Sequence, residues 1–301
     1  MRVAIITGKD LMHRHLCVRV AENHELVGIF HPSPLAPPRM SRMRSIRSKA
    51  KNRGAAALIL ERMSRTSTLH AGWDRKRSVQ RAQEQFFADA HSRYGREVEH
   101  LACDVDDINS PDAIRQLRAC EPDVVICLGG PIYRAPLIDA CKLMLNYHTG
   151  ISPIYNGAGT IFWTFANKHV HLSGGTLMTM SNVVDGGDVL AHYLCPIEAQ
   201  DDPGTLFMKA IVGATKVYDS FLAHLSAAGD YVGIAQTKSF FDYRSFDWMT
   251  CQDVAVQRNI DRGICRQHER PEQIIEYWRL DSAAAAQQAL KDNVARWVAD
   301  V

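Results

Sequence analysis

The stretch MRVAIITGKDLMHRHLCVRVAENHELVGIF (1–30) decides the fold class. Val3 to Thr7 is a short apolar, β-branched run, the pattern of a strand buried on both faces, where no alternation with polar residues is needed. Leu11 to Ala21 has apolar residues at helical spacing, and Glu25 to Phe30 gives a second strand. Strand, helix and strand in succession predict a parallel α/β sheet. The first loop, Thr7-Gly8-Lys9-Asp10, holds a single glycine. A dinucleotide fingerprint needs glycines for its tight turn and for backbone approach to pyrophosphate, so NAD binding is not expected.

Working outward, 301 residues suffice for one large α/β domain plus an appendage, or for two small domains, and a hydrophobic content of 46% is that of an ordinary globular protein. No run reaches the roughly 18 to 20 apolar residues that cross a bilayer, and the N-terminus reads as a first strand, not a signal peptide. The eight cysteines are scattered without a CxxC pair, which predicts free thiols, a reducing cytoplasmic location and no metal site. The net charge is only +2, but Arg39 to Arg81 holds thirteen Lys or Arg against two acids, Glu61 and Asp74. The remainder is therefore net acidic.

Pro32, Pro34, Pro37 and Pro38 interrupt the pattern after the second strand. A basic, mostly helix-forming insertion follows, over about 35–95, with one good apolar stretch at Ala55 to Leu60. The regular pattern resumes with a strand at Val98 to Cys103. A helix follows from Pro111 to Cys120, with Ser110 and Pro111 as start signals. Val124 to Leu128 reads as a buried strand ending in Gly129-Gly130-Pro131-Ile132, a loop placed where open α/β sheets bind ligands. Leu143 to His148 is the next strand, and its two-residue period sets Asn146 and His148 on one face at the carboxyl end. Thr160 to Lys168 reads as a helix with Phe162 and Trp163 in its core. Thr176 to Ser181 and Val189 to Leu194 read as strands bracketing the loop Val184-Asp185-Gly186-Gly187-Asp188, in which Asp188 caps the turn. Asp202 to Leu225 makes a long closing helix. This gives a domain over 1–228 and an extension over 229–301 packed on it, aromatic-rich from Tyr231 to Trp248. The extension ends in a helix with Ala283 to Ala286 at its centre.

Three elements in order carry a resemblance: Asn146-Tyr147-His148 at a strand end, the turn Pro153-Ile154-Tyr155-Asn156-Gly157, and the loop Asp185-Gly186-Gly187. Over roughly Met1 to Leu225 the chain resembles the folate-dependent formyltransferases, among them methionyl-tRNA formyltransferase, glycinamide ribonucleotide transformylase and the sugar-nucleotide N-formyltransferases. The resemblance implies the Rossmann-like, mostly parallel twisted sheet of that family. It also implies N10-formyltetrahydrofolate as formyl donor, and Asn146, His148 and Asp185 as the catalytic centre. The pterin would insert beside Gly129, Gly130, Pro131 and Ile132 on one side and Val183, Val184 and Gly186 on the other. The residue types suit the chemistry. An amine attacking a formyl carbon leaves negative charge on oxygen, which a neutral amide can bind without titrating. An imidazole can move the proton the amine loses, and a carboxylate can orient it.

Family members commonly carry Arg where this chain has Asn156. The roughly 70 residues after Gly229 are too few, and too helical at their end, for the β-barrel-like C-terminal domain of the tRNA-formylating enzymes, so tRNA is disfavoured as acceptor. The expected acceptor is a small-molecule amine, such as an amino sugar nucleotide or an amino acid, siderophore or other natural-product precursor. An anionic acceptor is one option, and a homodimer is another open option. The alternatives are a hydrolase passing formyl to water, whose usual regulatory N-terminal domain is missing, and a non-catalytic folate- or partner-binding protein.

Overall fold

β1 (Arg2–Thr7) buries Val3, Ala4, Ile5, Ile6 and Thr7 completely, as a strand must when both its faces are covered. The computed structural model describes residues 1–33, 72–299 and 301. The core of the basic insertion, including Ala55 to Leu60, lies outside the described residues. β1 is an inner strand of an eight-stranded sheet with β2 (Glu25–Pro32), β3 (Ala102–Val105), β4 (Val124–Leu128), β5 (Met144–His148), β7 (Gly174–Thr179), β8 (Val189–Leu194) and β10 (Gln273–Glu276), in the order β10-β8-β7-β5-β4-β1-β2-β3. β3, β2, β1, β4 and β5 pair in parallel, while β7, β8 and β10 add on as antiparallel strands. The mostly parallel α/β sheet expected from the sequence is therefore present, extended on one side by an antiparallel wing.

The alternation along β1 divides the interior. Val3 and Ile5 join a core with α1 (Leu11–Asn23), α2 (Arg75–Phe86), α3 (Ala90–Glu97) and α7 (Pro203–Ala228). Ala4 and Ile6 join another with α4 (Pro111–Ala119) and the short α5 (Ala135–Ile138). The helices thus cover both faces. α7 starts on a capping box between Asp202 and Thr205 and stops at Gly229 with φ +78°.

Residues after Gly229 are built into this body. β10 pairs with β8, Ile234 pairs with Val189, and β9 (Phe241–Tyr243) pairs in parallel with β6 (Tyr155–Gly157) to form a separate two-stranded ribbon. α6 (Thr160–Ala166) and α8 (Thr250–Asp261) pack near it, and α9 (Ala283–Val298) closes the chain.

Several boundaries differ from the sequence expectations, and three are informative. The third strand starts at Ala102, because Val98 caps α3 with its side chain in the core and Glu99–Leu101 make a single 3-10 turn. β7 spans Gly174–Thr179 where the sequence predicts Thr176 to Ser181, and its first two positions are glycines because a Cβ there would run into the Tyr193 carbonyl and the Tyr147 hydroxyl of the neighbouring strands. Ala283 to Ala286 open α9 instead of centring it, because the Ser282 hydroxyl accepts from the Ala285 N–H at 3.2 Å and fixes the helix start there.

Candidate active site

β5 carries Asn146 and His148 to the carboxyl edge of the parallel strands, and both line a cleft of about 640 Å³. The Asn146 amide makes no hydrogen bond to any described residue, so its donors are open to the cleft. His148 is 8% exposed and held on two sides. Its Nε2 lies 3.0 Å from the Tyr155 carbonyl. A carbonyl oxygen can only accept, so Nε2 carries the hydrogen. Its Nδ1 lies 3.5 Å from Asp185 Oδ2. Proton exchange with anything in the cleft therefore falls to Nδ1.

Asp185 reaches this position through an unusual backbone. It sits in the left-handed region at φ +50°, which costs a side-chain-bearing residue on the order of 1 kcal/mol. Its Oδ2 accepts from the Gly157 N–H at 2.8 Å. Its carbonyl accepts from Asn156 Nδ2 at 3.2 Å and from Gln236 Nε2 at 2.9 Å. β6 thus serves both partners: the Tyr155 carbonyl orients His148, and the Gly157 amide orients Asp185. Asn156 acts as a brace for the Asp185 loop, and its Oδ1 is buried with no partner among the described residues.

The two loops singled out in the sequence form apolar walls of the same cleft. Gly129, Gly130, Pro131 and Ile132 line it, with Tyr133 OH donating to the Gly129 carbonyl at 2.8 Å and Asn109 Nδ2 to that of Ile132 at 3.0 Å. Val183 and Val184 line it as well, whereas Gly186 does not; its N–H instead closes the turn onto the Val183 carbonyl at 3.0 Å. Ile132 and Val183 are each 68% exposed and Val184 is 47% exposed. Apolar side chains held open to a cleft suit a flat, largely apolar ring.

Sequence reasoning missed two groups of lining residues. His13, on α1, lines the cleft with its Nδ1 buried and unpartnered among the described residues, and burial lowers its pKa to about 4, so the ring is neutral at pH 7. A histidine among the apolar positions of the first helix was its only signal. Tyr243, Arg244, Ser245 and Phe246 bring the C-terminal extension to the cleft, Arg244 being paired with Asp242 at 3.0 Å. The aromatic run from Tyr231 to Trp248 was the trace of this wall. Phe162 and Trp163 are buried helix core as expected, and Trp163 stacks on Tyr243 at 3.8 Å.

Behind the cleft, His192 Nε2 donates to the Ser152 carbonyl at 2.7 Å, and its Nδ1 lies 2.9 Å from Tyr277 OH. Asn293 Nδ2 donates to the same hydroxyl at 3.1 Å, so a buried polar chain ties the loop after β5 to α9. Burial lowers the His192 pKa to about 4. Among the described residues no group of three or more His, Cys, Asp or Glu converges as a metal would require, and no helix is long and apolar enough to cross a membrane.

A profile of the formyl transferase family matches residues 67–219, which contain Asn146, His148, Asp185 and both apolar loops. The chain belongs to the formyl transferase family. Among its relatives, a methionyl-tRNA formyltransferase of Streptococcus pyogenes is 37% identical over 91 residues, which is 30% of this chain and only 29% of that one. The family fold recurs in a sugar N-formyltransferase from a Shewanella species, with a TM-score of 0.52, 13% identity and coverage of 86% of this chain and 87% of that one. A glycinamide ribonucleotide transformylase from Symbiobacterium toebii superposes with a TM-score of 0.50 at 13% identity over 79% of this chain and 94% of that one. An N-formyltransferase from Helicobacter canadensis, crystallised with folinic acid and dTDP-3-aminofucose, has a TM-score of 0.50 at 16% identity over 86% and 81% of the two chains. At these identities the structural likenesses speak for the fold alone.

Proposed function

We propose that the chain transfers a formyl group from N10-formyltetrahydrofolate to an amine of a small molecule, with Asn146, His148 and Asp185 as the reacting constellation. The observation that carries this reading is the gathering of an amide unengaged by any described residue, an imidazole and a carboxylate in one cleft, with His148 Nδ1 3.5 Å from Asp185. The cleft fits a pterin: Ile132, Val183 and Val184 would hold its ring, and the Gly129–Ile132 backbone would run along its edge. When bound, the folate supplies the formyl carbon. The protein supplies the rest. Asn146 donates to the oxygen that gains negative charge as the amine attacks, an interaction typically worth about 10²- to 10³-fold in rate. His148 takes at Nδ1 the proton that the amine loses and returns it to the leaving nitrogen. Asp185 receives the Nδ1–H while the ring is charged, and the Tyr155 carbonyl keeps the ring from turning away.

The acceptor we favour is a small amine, such as an amino sugar nucleotide or an amino acid precursor. The Helicobacter canadensis relative, with its folate and amino-sugar nucleotide, lends support to that pairing. Arg244 on the cleft wall gives an anionic acceptor a cation to meet.

The reading is tested by mixing the protein with N10-formyltetrahydrofolate and following tetrahydrofolate release with amino sugar nucleotides, hydroxylated amino acids or initiator methionyl-tRNA. Release that requires a small amine supports the proposal. Release with tRNA alone moves the acceptor to RNA, release into water makes the protein a hydrolase, and no release under any condition favours a binding role. His148→Ala should lower turnover by about 10²- to 10³-fold with the fold intact; near-normal turnover in that variant would remove His148 from the mechanism.

A further inference from the structure

We infer that Gln236, in the segment between α7 and β9, is a positioning residue that sets the contact between Asp185 and His148. The inference rests on the reading of those two as the reacting pair. Gln236 touches neither of their reactive atoms. Its Nε2 donates to two backbone carbonyls, that of Asp185 at 2.9 Å and that of Gly187 at 2.6 Å. These carbonyls flank Gly186 in the loop between β7 and β8. A side-chain amide has two N–H donors and the two carbonyls can only accept, so the chemistry fixes which way the amide points.

What makes this pair of bonds consequential is the backbone they hold. Asp185 occupies the left-handed region at φ +50°. Its carbonyl is satisfied by two side chains from outside the loop, Asn156 at 3.2 Å and Gln236 at 2.9 Å. Within the loop, the Gly186 N–H shares its peptide plane with the Asp185 carbonyl and closes onto the Val183 carbonyl at 3.0 Å. That peptide is thus held at its N–H by the loop and at its oxygen by Asn156 and Gln236, while the Asp188 N–H closes onto Thr179 Oγ1 at 2.9 Å. Gln236 is itself placed firmly: Ile234, two residues earlier, is buried and exchanges both backbone hydrogen bonds with Val189 at 2.8 and 3.0 Å. The extension therefore reaches the loop with a fixed anchor and an aimed donor pair. If the Asp185 peptide turns, its carboxylate leaves Gly157 and Nδ1 of His148 together. A misplacement of about 1 Å in such a constellation costs on the order of 10²-fold in rate.

The test uses the full chain with Gln236→Met, which keeps length and burial but removes both donors, alongside Asp185→Asn. The first readout is the pair of ¹⁵N ring resonances of His148 at fixed pH, which report the hydrogen bonding at Nδ1 and need no turnover. Gln236→Met should move the Nδ1 resonance toward its position in Asp185→Asn. A wild-type spectrum in Gln236→Met would overturn the inference. The second readout is kinetic: kcat should fall about 10- to 10²-fold while KM for the amine stays within about threefold. A loss confined to KM would make Gln236 a binding residue and also overturn the inference. Should wild-type protein transfer no formyl group, the proposed function fails while the ring resonances still decide the role of Gln236. If Gln236→Met does not fold, Gln236→Asn, which keeps the amide but shortens its reach by one methylene, carries both readouts.

Discussion

Gly150 governs the orientation of His148 although it has no side chain to offer. A Cβ built on it would collide with His148 Nε2 and with the Tyr155 carbonyl, the two atoms whose 3.0 Å hydrogen bond fixes the ring. Gly150→Ala must therefore either push the imidazole off its acceptor or lift the Tyr155 peptide away. Both leave a buried carbonyl without its donor, and the overpacking alone costs roughly 1 to 3 kcal/mol. The expected result is a fall in kcat of about 10- to 10²-fold, larger than any change in the affinity for folinic acid measured by calorimetry. Wild-type kcat in Gly150→Ala would show that the Nε2 bond does not set the productive ring position. That His148 and Asp185 could meet was legible in the sequence, because a strand end and a glycine loop both lie at the carboxyl edge of the sheet, and the two line one cleft 3.5 Å apart. Gln236 and Gly150 were not: their effect comes from which carbonyl they meet, and no spacing rule encodes that.

The ribbon of β6 and β9 shows the same at the level of elements. Its strands are three residues each, too short to show any period, and they pair across more than eighty residues of chain. By contrast β1, α1, β2, β4, β5, β8 and α7 could be read directly, since each is long enough, or apolar enough between turn residues, for its pattern to rise above its neighbours. The ribbon matters because Tyr155 and Gly157 of β6 hold His148 and Asp185, the two members of the proposed reacting pair. Stacking of Tyr155 on Phe241 at 4.9 Å and of Trp163 on Tyr243 at 3.8 Å, with Asn167 Nδ2 bridging the Tyr155 and Tyr243 hydroxyls at 2.9 Å each, locks it together. Gly157 is the weak point. It sits at φ +91°, and a Cβ there would run into the Tyr243 carbonyl. Gly157→Ala should part the strands at a cost of roughly 2 to 4 kcal/mol, combining backbone strain with the clash. The urea midpoint should fall accordingly and kcat should fall with it. A variant that lost stability yet kept full kcat would mean that β6 does not hold Asp185 in place.

For the whole molecule, three histidines among the described residues, His13, His15 and His192, are folded into environments that keep them neutral. Burial lowers His13, His15 and His192 each to about 4 from an ordinary value of 6.5. His13 lines the cleft, His15 stacks on Phe87 at 4.5 Å, and His192 sits with its ring edge-on to Trp297 at 5.2 Å, between the Ser152 carbonyl and Tyr277. The unfolded chain takes up protons at these rings as pH falls through 6.5, while the folded chain refuses them until about 4. The stability they contribute is therefore complete above pH 6.5 and is lost progressively as pH drops toward 4, by up to roughly 3 kcal/mol for each of the two most deeply buried rings, His13 and His192. His192 joins the loop after β5 to Tyr277 and Asn293 of the extension, and a proton forced onto its Nδ1 would remove the lone pair that accepts from the Tyr277 hydroxyl while the Nε2 donor to Ser152 stays in place. Urea unfolding at pH 7, 6 and 5 should give a free energy that declines steadily, with tryptophan fluorescence and far-UV circular dichroism reporting one shared transition. A flat profile over that range would contradict the neutral burial of these rings. Two separated transitions would mean instead that the extension unfolds apart from the sheet, which the pairing of β10 with β8 and the His192 chain argue against.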